Sequence, residues 1–187
     1  MPAPADPTAA AAPGDAGAGP PPWQLPGGRE RVAAYPRPPV LVPCGRHLRV
    51  EALGQVLADT ERSLRLLETF HPPTFYLPPE AIELAWLQPA PGHSYCEWKG
   101  VARYLDVVVP GDAGLPRRLS QAVWQYPEPA PAYAALAGWY ALYPGLMDGC
   151  WLDGERVIPQ PGGFYGGWIT SELEGPFKGD PLHPELV

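Results

Sequence analysis

Proline and glycine interrupt this sequence so often that long regular elements have little room. The chain of 187 residues contains 29 prolines and 21 glycines. Proline breaks the interior of a helix because it lacks an amide donor, and glycine weakens a helix through its conformational entropy. Eight of the prolines and five of the glycines lie in residues 1–28, so the remainder is rich in turns but foldable. This distribution favours a mainly β domain of short antiparallel strands over a helical bundle.

The distribution of residue types also predicts how the chain is divided. Residues 1–34 are predicted to be a disordered leader rich in proline, alanine and glycine. Residues 35–158 are predicted to form a single β domain, since seven Trp, nine Tyr and 45% hydrophobic residues are atypical of disordered chains. Residues 159–187, where glycines alternate with rings, are predicted to be a C-terminal flap laid across the body.

Alternation of polar and apolar residues predicts the individual strands. Strands are expected at 47–53, 56–59, 63–69, 74–77, 93–98, 101–109 and 121–126, with a hairpin turn at Gly54-Gln55 and a bend at Gly100. One helical turn at 79–82 and a short helix at 132–136 complete the body. The segments 139–143 and 146–157 are expected to pair as a closing hairpin.

Charge, apolar run length and cysteine spacing exclude several classes of function. A net charge of −7 with 13 basic residues argues against a nucleic-acid partner. No run approaches the roughly 20 apolar residues of a membrane helix, so no membrane partner is expected. Three widely spaced cysteines argue against a secreted disulfide framework and predict a cytoplasmic protein. No close Cys or His pairs occur, so neither a metal nor another cofactor is expected.

The stretch His93–Tyr104 concentrates reactive groups within a dozen residues. Cys96 and Lys99 are three apart, so on one strand their side chains point to opposite faces. The two side chains converge only if Gly100 or the preceding turn breaks the two-residue alternation of side chains along the strand. In that case the ammonium favours a thiolate, and Cys96 becomes a candidate nucleophile. The alternatives are a buried, inert Cys96 and a solvated or ion-paired Lys99.

Two carboxylates are further catalytic candidates. Asp59 and Glu68 both end apolar strands, and paired carboxylates share acid/base work when their environments separate their pKa values. The alternative for Asp59 is a turn cap, and for Glu68 an ion pair with a nearby base.

Aromatic residues on the predicted strands are candidates for a ligand-binding wall. Rings of this kind line pockets for flat ligands or cations, although they also pack as ordinary sheet residues. The ligand-binding candidates are Tyr76, Tyr95, Trp98, Tyr104, Trp124 and Tyr126.

Several short motifs resemble those of one bacterial family. They are Ala58-Asp59-Thr60, Leu67-Glu68-Thr69, Pro72–Pro78, Tyr95–Tyr104 and Trp124–Pro129. Their order over about residues 40–153 is similar to the domain of unknown function 427 family, which is also labelled a nucleotidyltransferase family.

The resemblance implies a small antiparallel β domain, similar to tent-like or Mss4-like folds, as a sandwich or open barrel with one or two short helices. It implies no established activity. Family members usually carry Pro-Phe where this sequence has Glu97 and Trp98. The Glu97 carboxylate offers Lys99 a neutralising partner, which argues against a phosphate-binding role for Lys99.

Three functions remain open on the sequence. The first is binding of a small molecule in an aromatic pocket that has Cys96, Lys99, Asp59 and Glu68 as its polar groups. The second is an enzyme that acts on a nucleotide-like substrate through Lys99 or Cys96. The third is a protein-interaction module that uses the leader or an exposed sheet edge. Ligand identity and oligomeric state do not follow from the sequence.

Overall fold

The computed structural model describes residues 20–111 and 114–186, so residues 1–19 of the predicted leader lie outside the described residues. The strands are β1 (Glu30–Arg31), β2 (Val40–Cys44), β3 (Leu48–Ala52), β4 (Gln55–Thr60), β5 (Ser63–Leu67), β6 (Thr74–Tyr76), β7 (Leu87–Cys96), β8 (Gly100–Val109), β9 (Arg117–Gln125), β10 (Tyr140–Leu142), β11 (Gly149–Leu152), β12 (Glu155–Arg156), β13 (Ile158–Pro159), β14 (Trp168–Ile169) and β15 (Leu173–Glu174).

Helical structure in the described residues is limited to short 3₁₀ turns. These are Pro26–Gly28, Val32–Ala34, Pro79–Ala81, Leu84–Trp86, Pro131–Leu136, Pro144–Leu146 and Pro184–Leu186. Five of them begin with proline, whose fixed φ suits the first helical position. Among the described helices, none has the length and apolar character needed to cross a membrane.

Two four-stranded antiparallel sheets form the body of the molecule. Their strand orders are β10-β9-β8-β7 and β12-β11-β3-β4. A three-stranded sheet, β2-β5-β6, lies beside them, and the two-stranded pairs are β13-β14 and the parallel β1-β15. The prediction of a mainly β, antiparallel chain with only short helices is confirmed.

The larger apolar core draws side chains from both four-stranded sheets. Leu48, Val50 and Ala52 alternate with half-buried polar residues along β3, as their spacing predicted, and all three are fully buried. Leu105 and Val107 of β8 belong to the same core cluster. The period of two in each strand therefore fixes which face of each sheet meets the core.

A second apolar cluster lies on the other face of the β8 strand. Ala102 of β8 and Trp124 of β9 pack there with Tyr76 of β6 and Tyr126. Because β8 carries core residues on one face and these residues on the other, both sides of the sheet are covered. The second cluster includes the predicted aromatic residues.

The expected closing hairpin between residues 139–143 and 146–157 is wrong. β10 pairs with β9, whereas β11 pairs with β3 and β12. The 3₁₀ turn Pro144–Leu146 lies between these strands, and the chain passes there from one four-stranded sheet to the other. The segments are neighbours in sequence but hydrogen-bond in different sheets.

A buried ion pair attaches residues 20–34 to the body, which corrects the expectation of disorder for this part of the leader. Glu30 of β1 accepts hydrogen bonds from Arg65 of β5 at 2.7 and 2.9 Å, and from the hydroxyl of Tyr35. Burial and the neighbouring Glu30 raise the pKa of Tyr35, which keeps the phenol protonated as a donor. The division at residue 34 remains a prediction.

The segment after residue 158 is more than a surface flap. Trp168 is 1% exposed and belongs to the larger core, whereas Phe164 is 65% exposed. β14 pairs with β13, and β15 pairs with β1. Trp168 therefore anchors this segment in the core, because a single ring enters the core without a long strand.

Replacing Arg65 with methionine tests the buried ion pair. We expect Arg65→Met to lower the free energy of unfolding by about 3 kcal/mol, because the substitution leaves Glu30 buried without its cation. The matched control is Arg29→Met, since Arg29 is 55% exposed and 3.4 Å from Glu174, and such pairs contribute less than about 1 kcal/mol. Equal losses in urea denaturation of both variants would contradict this account.

Candidate functional site

A pocket of about 530 Å³ opens over the second apolar cluster. Its walls come from β5, β6, β7, β8 and β9, and from residues of the C-terminal segment that close over the strand faces. The predicted site residues that line it are Glu68, Tyr76, Tyr95, Cys96, Trp98, Lys99, Tyr104, Trp124 and Tyr126. Asp59 is the predicted residue that does not reach it.

A tight hairpin turn carries the central residues into this pocket. Cys96 ends β7 and pairs with Gly100 at the start of β8, so the turn consists of residues 97–99. Gly100 has a φ of +96°, a conformation that a residue with a side chain rarely adopts. The Lys99 carbonyl accepts a hydrogen bond of 3.0 Å from the Ala130 amide, which holds the turn. Cys96 ends a strand and Lys99 belongs to the turn, so the two are not on one regular strand, and both line the pocket.

The Lys99 side chain is buried without an anionic partner among the described residues. It is 7% exposed, and its Nζ lies 5.7 Å from the centre of the Tyr126 ring. A cation over an aromatic face is stabilised by the ring quadrupole, but no carboxylate of the described ranges lies within 4 Å of Nζ. The positive charge of Lys99 therefore faces the pocket and is compensated only in part, by the Tyr126 ring.

Glu97 does not neutralise Lys99, which corrects the sequence-based expectation. Its carboxylate instead binds the Arg37 guanidinium at 2.9 Å, and both side chains are exposed. The Arg37 guanidinium also lies 5.7 Å from the centre of the Trp98 ring. Glu97 and Lys99 thus point in different directions, because Glu97 forms its ion pair with Arg37 at the exposed rim.

Phenol hydroxyls and rings make up much of the pocket wall. The Tyr104 hydroxyl donates to Ser94 Oγ at 2.7 Å, and the rings of Trp124 and Tyr143 are 4.5 Å apart. Burial raises the pKa values of Tyr76, Tyr126 and Tyr143. These phenols therefore remain protonated at neutral pH and keep an O–H group for donation.

Sequence reasoning missed a cluster of pocket-lining residues, namely His71, Gln160, Tyr165 and Lys178. Gln160 Nε2 donates to His71 Nδ1 at 3.0 Å and to the Lys178 carbonyl at 2.9 Å. The His71 and Tyr165 rings meet edge-to-face at 5.1 Å. These residues lie far apart in the chain, so no local pattern marks them as one site.

His71 is neutral in this cluster. The pKa of His71 is lowered to about 4, chiefly by burial, next by the charge of Lys178, and less by the charges of Lys99 and Arg37. Since Nδ1 accepts from Gln160, the ring proton resides on Nε2. The pocket therefore contains a neutral imidazole that offers an N–H donor.

Asp59 belongs to a separate surface network. Its carboxylate lies 2.7 Å from His47 Nε2 and 3.1 Å from Arg49 Nη1. Both partners lower the pKa of Asp59, and the hydrogen bond with His47 has the larger effect. It stands on β4, whereas Glu68 follows β5 in another sheet. The structure does not bring the two carboxylates together, so a shared acid/base role is not supported.

The remaining predicted residues differ in depth. Cys96 and Glu68 are half-buried, and Tyr95 is 75% exposed at the rim. Cys150, outside the pocket lining, is buried, and burial raises the pKa of its thiol to about 12. Within residues 20–111 and 114–186, no three His, Cys, Asp or Glu side chains cluster in a way that would hold a metal ion.

Comparison with known families identifies the same family that the order of the motifs indicated. The profile described as domain of unknown function DUF427, which carries a nucleotidyltransferase label, matches residues 40–153. The chain belongs to the DUF427 family. The matched DUF427 region includes the hairpin turn, Glu68 and the aromatic strands, whereas the C-terminal residues that close the pocket lie beyond it. No curated protein matches the chain.

Because His71 is neutral and half-buried, we predict that the stability of the chain falls in mild acid. Its pKa is lowered from 6.5 to about 4 on folding, so the unfolded chain binds more protons and stability is lost as pH falls below 6.5. Between about pH 7.5 and pH 5 we expect His71 to account for about 2 kcal/mol of lost unfolding free energy.

Denaturation of the variant His71→Gln at both pH values measures this contribution. The variant should lose about 2 kcal/mol less than the wild type over the same interval, while His93→Gln, at an exposed position of β7, should follow the wild type. An acid-induced loss in His71→Gln as large as that of the wild type would contradict the assignment.

Proposed function

We propose that this chain binds a small organic molecule in the aromatic-lined pocket. The observation that carries the proposal is the buried Lys99, which faces a cavity of about 530 Å³ without an ion-pair partner among the described residues. Cavities of about 300–1,000 Å³ are typical of ligand sites, and their few polar groups orient the ligand. A lone buried cation is costly unless a ligand or water satisfies it.

The wall supports a ligand with a flat, conjugated body. Trp98, Tyr104 and Trp124 line the same cavity as Lys99, and aromatic pairs gain about 0.5–1.5 kcal/mol beyond their buried area. Tyr126, whose ring the Lys99 ammonium approaches, also lines the cavity and is buried. A flat ligand between these rings would place its polar substituents near the ammonium and the phenol hydroxyls.

An enzyme acting on a nucleotide-like substrate is the second candidate. The observation that favours it is the convergence of Cys96, Lys99 and Glu68 in one pocket, since a thiol, an ammonium and a carboxylate together supply a nucleophile and acid/base groups. The nucleotidyltransferase label of the DUF427 profile agrees with this candidate. The interaction module and the cytoplasmic location remain predictions from the sequence.

Binding of 2-naphthamide, a neutral flat probe, tests the first proposal by titration calorimetry. We expect Trp98→Ala to weaken this binding about fivefold, because the variant loses a ring contact worth about 1 kcal/mol. Trp151→Ala is the matched control, since Trp151 is also half-buried and lies outside the pocket lining. Failure of the wild type to bind this amide or its carboxylate and phosphate analogues, or equal weakening of binding in both variants, would contradict the proposal.

Turnover of nucleoside triphosphates tests the enzyme candidate. That candidate predicts release of pyrophosphate or phosphate by the wild type, and loss of this release in Lys99→Met at an unchanged melting temperature. The variant Cys96→Ser then tests whether the thiol is the nucleophile, since release should be lost only if it is. Failure of the wild-type chain to release either product from ATP, CTP, GTP or UTP would count against this candidate and leave the binding proposal unaffected.

A further inference from the structure

We propose that the ligand of this pocket is an organic anion, a flat ring bearing a carboxylate or phosphate, whose anionic group binds the Lys99 ammonium. The inference rests on the proposed function, because it names the chemical class that the binding site selects. It follows from the surroundings of Lys99, from the charges that line the cavity and from the protonation of its hydroxyl groups.

The first observation is the isolation of the ammonium from carboxylates. Glu97 is next but one to Lys99 in the sequence, yet its carboxylate is bound to Arg37 at the rim. Glu68 also lines the cavity, but it lies beyond ion-pair distance of Lys99. The Tyr126 ring compensates the charge only in part, so an anionic ligand would supply the partner that the described residues do not.

The second observation is the sign of the lining charges. Three cationic side chains, Arg37, Lys99 and Lys178, face this cavity with two carboxylates, Glu68 and Glu97. Glu97 is already paired with Arg37, which leaves two cations against Glu68. This excess of positive charge occurs in a chain whose net charge is −7, and a cavity of one sign raises the local concentration of ions of the other sign.

The third observation is a set of neutral donors that line the same cavity as Lys99. Burial keeps the Tyr76, Tyr126 and Tyr143 phenols protonated by raising their pKa values. The neutral His71 adds an N–H group, because its other ring nitrogen accepts from Gln160. Hydrogen bonds from such donors to an ionised acceptor are shorter and stronger than those between neutral groups. A cavity lined by a buried cation and by neutral hydroxyl donors suits a carboxylate or phosphate better than a neutral or cationic group.

Titration of the full-length chain with three naphthalene probes tests this inference. The probes are 2-naphthoate, 2-naphthyl phosphate and the neutral 2-naphthamide, which share one ring and differ in their head group. We expect at least one anionic probe to bind the wild type about tenfold or more tightly than the amide. Preference for the carboxylate or for the phosphate then identifies which anionic group the site selects.

Variants at Lys99 attribute this preference to the ammonium. Lys99→Met should reduce it to less than about twofold, while Lys99→Arg, which keeps the charge, should retain it. Glu68→Gln should tighten binding of the anion, because it removes the opposing carboxylate. Arg156→Met is the matched control. The Arg156 guanidinium lies 5.8 Å from the centre of the Trp151 ring, much as the Lys99 ammonium lies 5.7 Å from that of Tyr126, but Arg156 is not part of the pocket lining.

A measurement on the wild type covers the case in which Lys99→Met fails to fold. Iodoacetamide alkylation of Cys96, followed by mass spectrometry with Cys44 as the internal reference, reports occupancy of the pocket, since Cys96 lines it and Cys44 does not. The anionic probe should protect Cys96 at about one tenth of the amide concentration that gives equal protection.

The outcomes separate this inference from the proposed function. Equal binding of all three probes in the pocket, with Lys99→Met unchanged, would overturn the inference and leave small-molecule binding intact. Tighter binding of the amide than of either anion would also overturn it. If no probe binds or protects Cys96, the proposed function fails and the inference fails with it.

Discussion

The register of the β7–β8 hairpin decides which side chains of the central sheet face the pocket and which face the core. Pairing of Cys96 with Gly100 places Ala102 on the pocket side and Leu105 on the core side. A slip of one residue would exchange the faces, because the side-chain period of a strand is two. The positive φ of Gly100 and the hydrogen bond from Ala130 to the Lys99 carbonyl hold this register, so core and pocket depend on the same turn.

The turn also separates opposite charges that are neighbours in sequence. Glu97 is directed to the rim and pairs with Arg37, whereas Lys99 is buried against Tyr126. Arg37 is placed there by a segment that is fixed from both ends, since Tyr35 contacts the buried Glu30–Arg65 pair and the Pro39 carbonyl accepts from Tyr133. The charge of the pocket is therefore set by the attachment of the N-terminal strand as well as by the hairpin.

Close backbone approach completes the enclosure. A Cβ atom at Gly166 would lie 2.2 Å from the Trp124 ring, so only glycine lets the C-terminal segment reach the aromatic wall. The sequence predicts that this segment is a flap but gives no sign that it supplies pocket residues. Gln160 contacts His71 across 89 positions of the sequence, and a contact of that separation leaves no periodic signal in either segment.

Much of the local structure was predictable, since strand alternation and turn chemistry are encoded by neighbouring residues. The alternation of Leu48, Val50 and Ala52 and the hairpin that follows them agree with the structure. The thiol and ammonium candidates of the pocket follow from the concentration of reactive groups in His93–Tyr104, and the aromatic candidates follow from the predicted strands. Asp59 was chosen by the same local criterion, yet its sheet points it toward His47 instead.

By itself, the sequence determined the mainly β class and the bend at Gly100, because proline, glycine and the alternation of apolar residues act over a few positions. Only the tertiary structure decided which carboxylate meets which cation and which rings enclose the cavity. Those outcomes depend on strands from different sheets approaching one another, and electrostatic partners are set by distance in space rather than by distance along the chain.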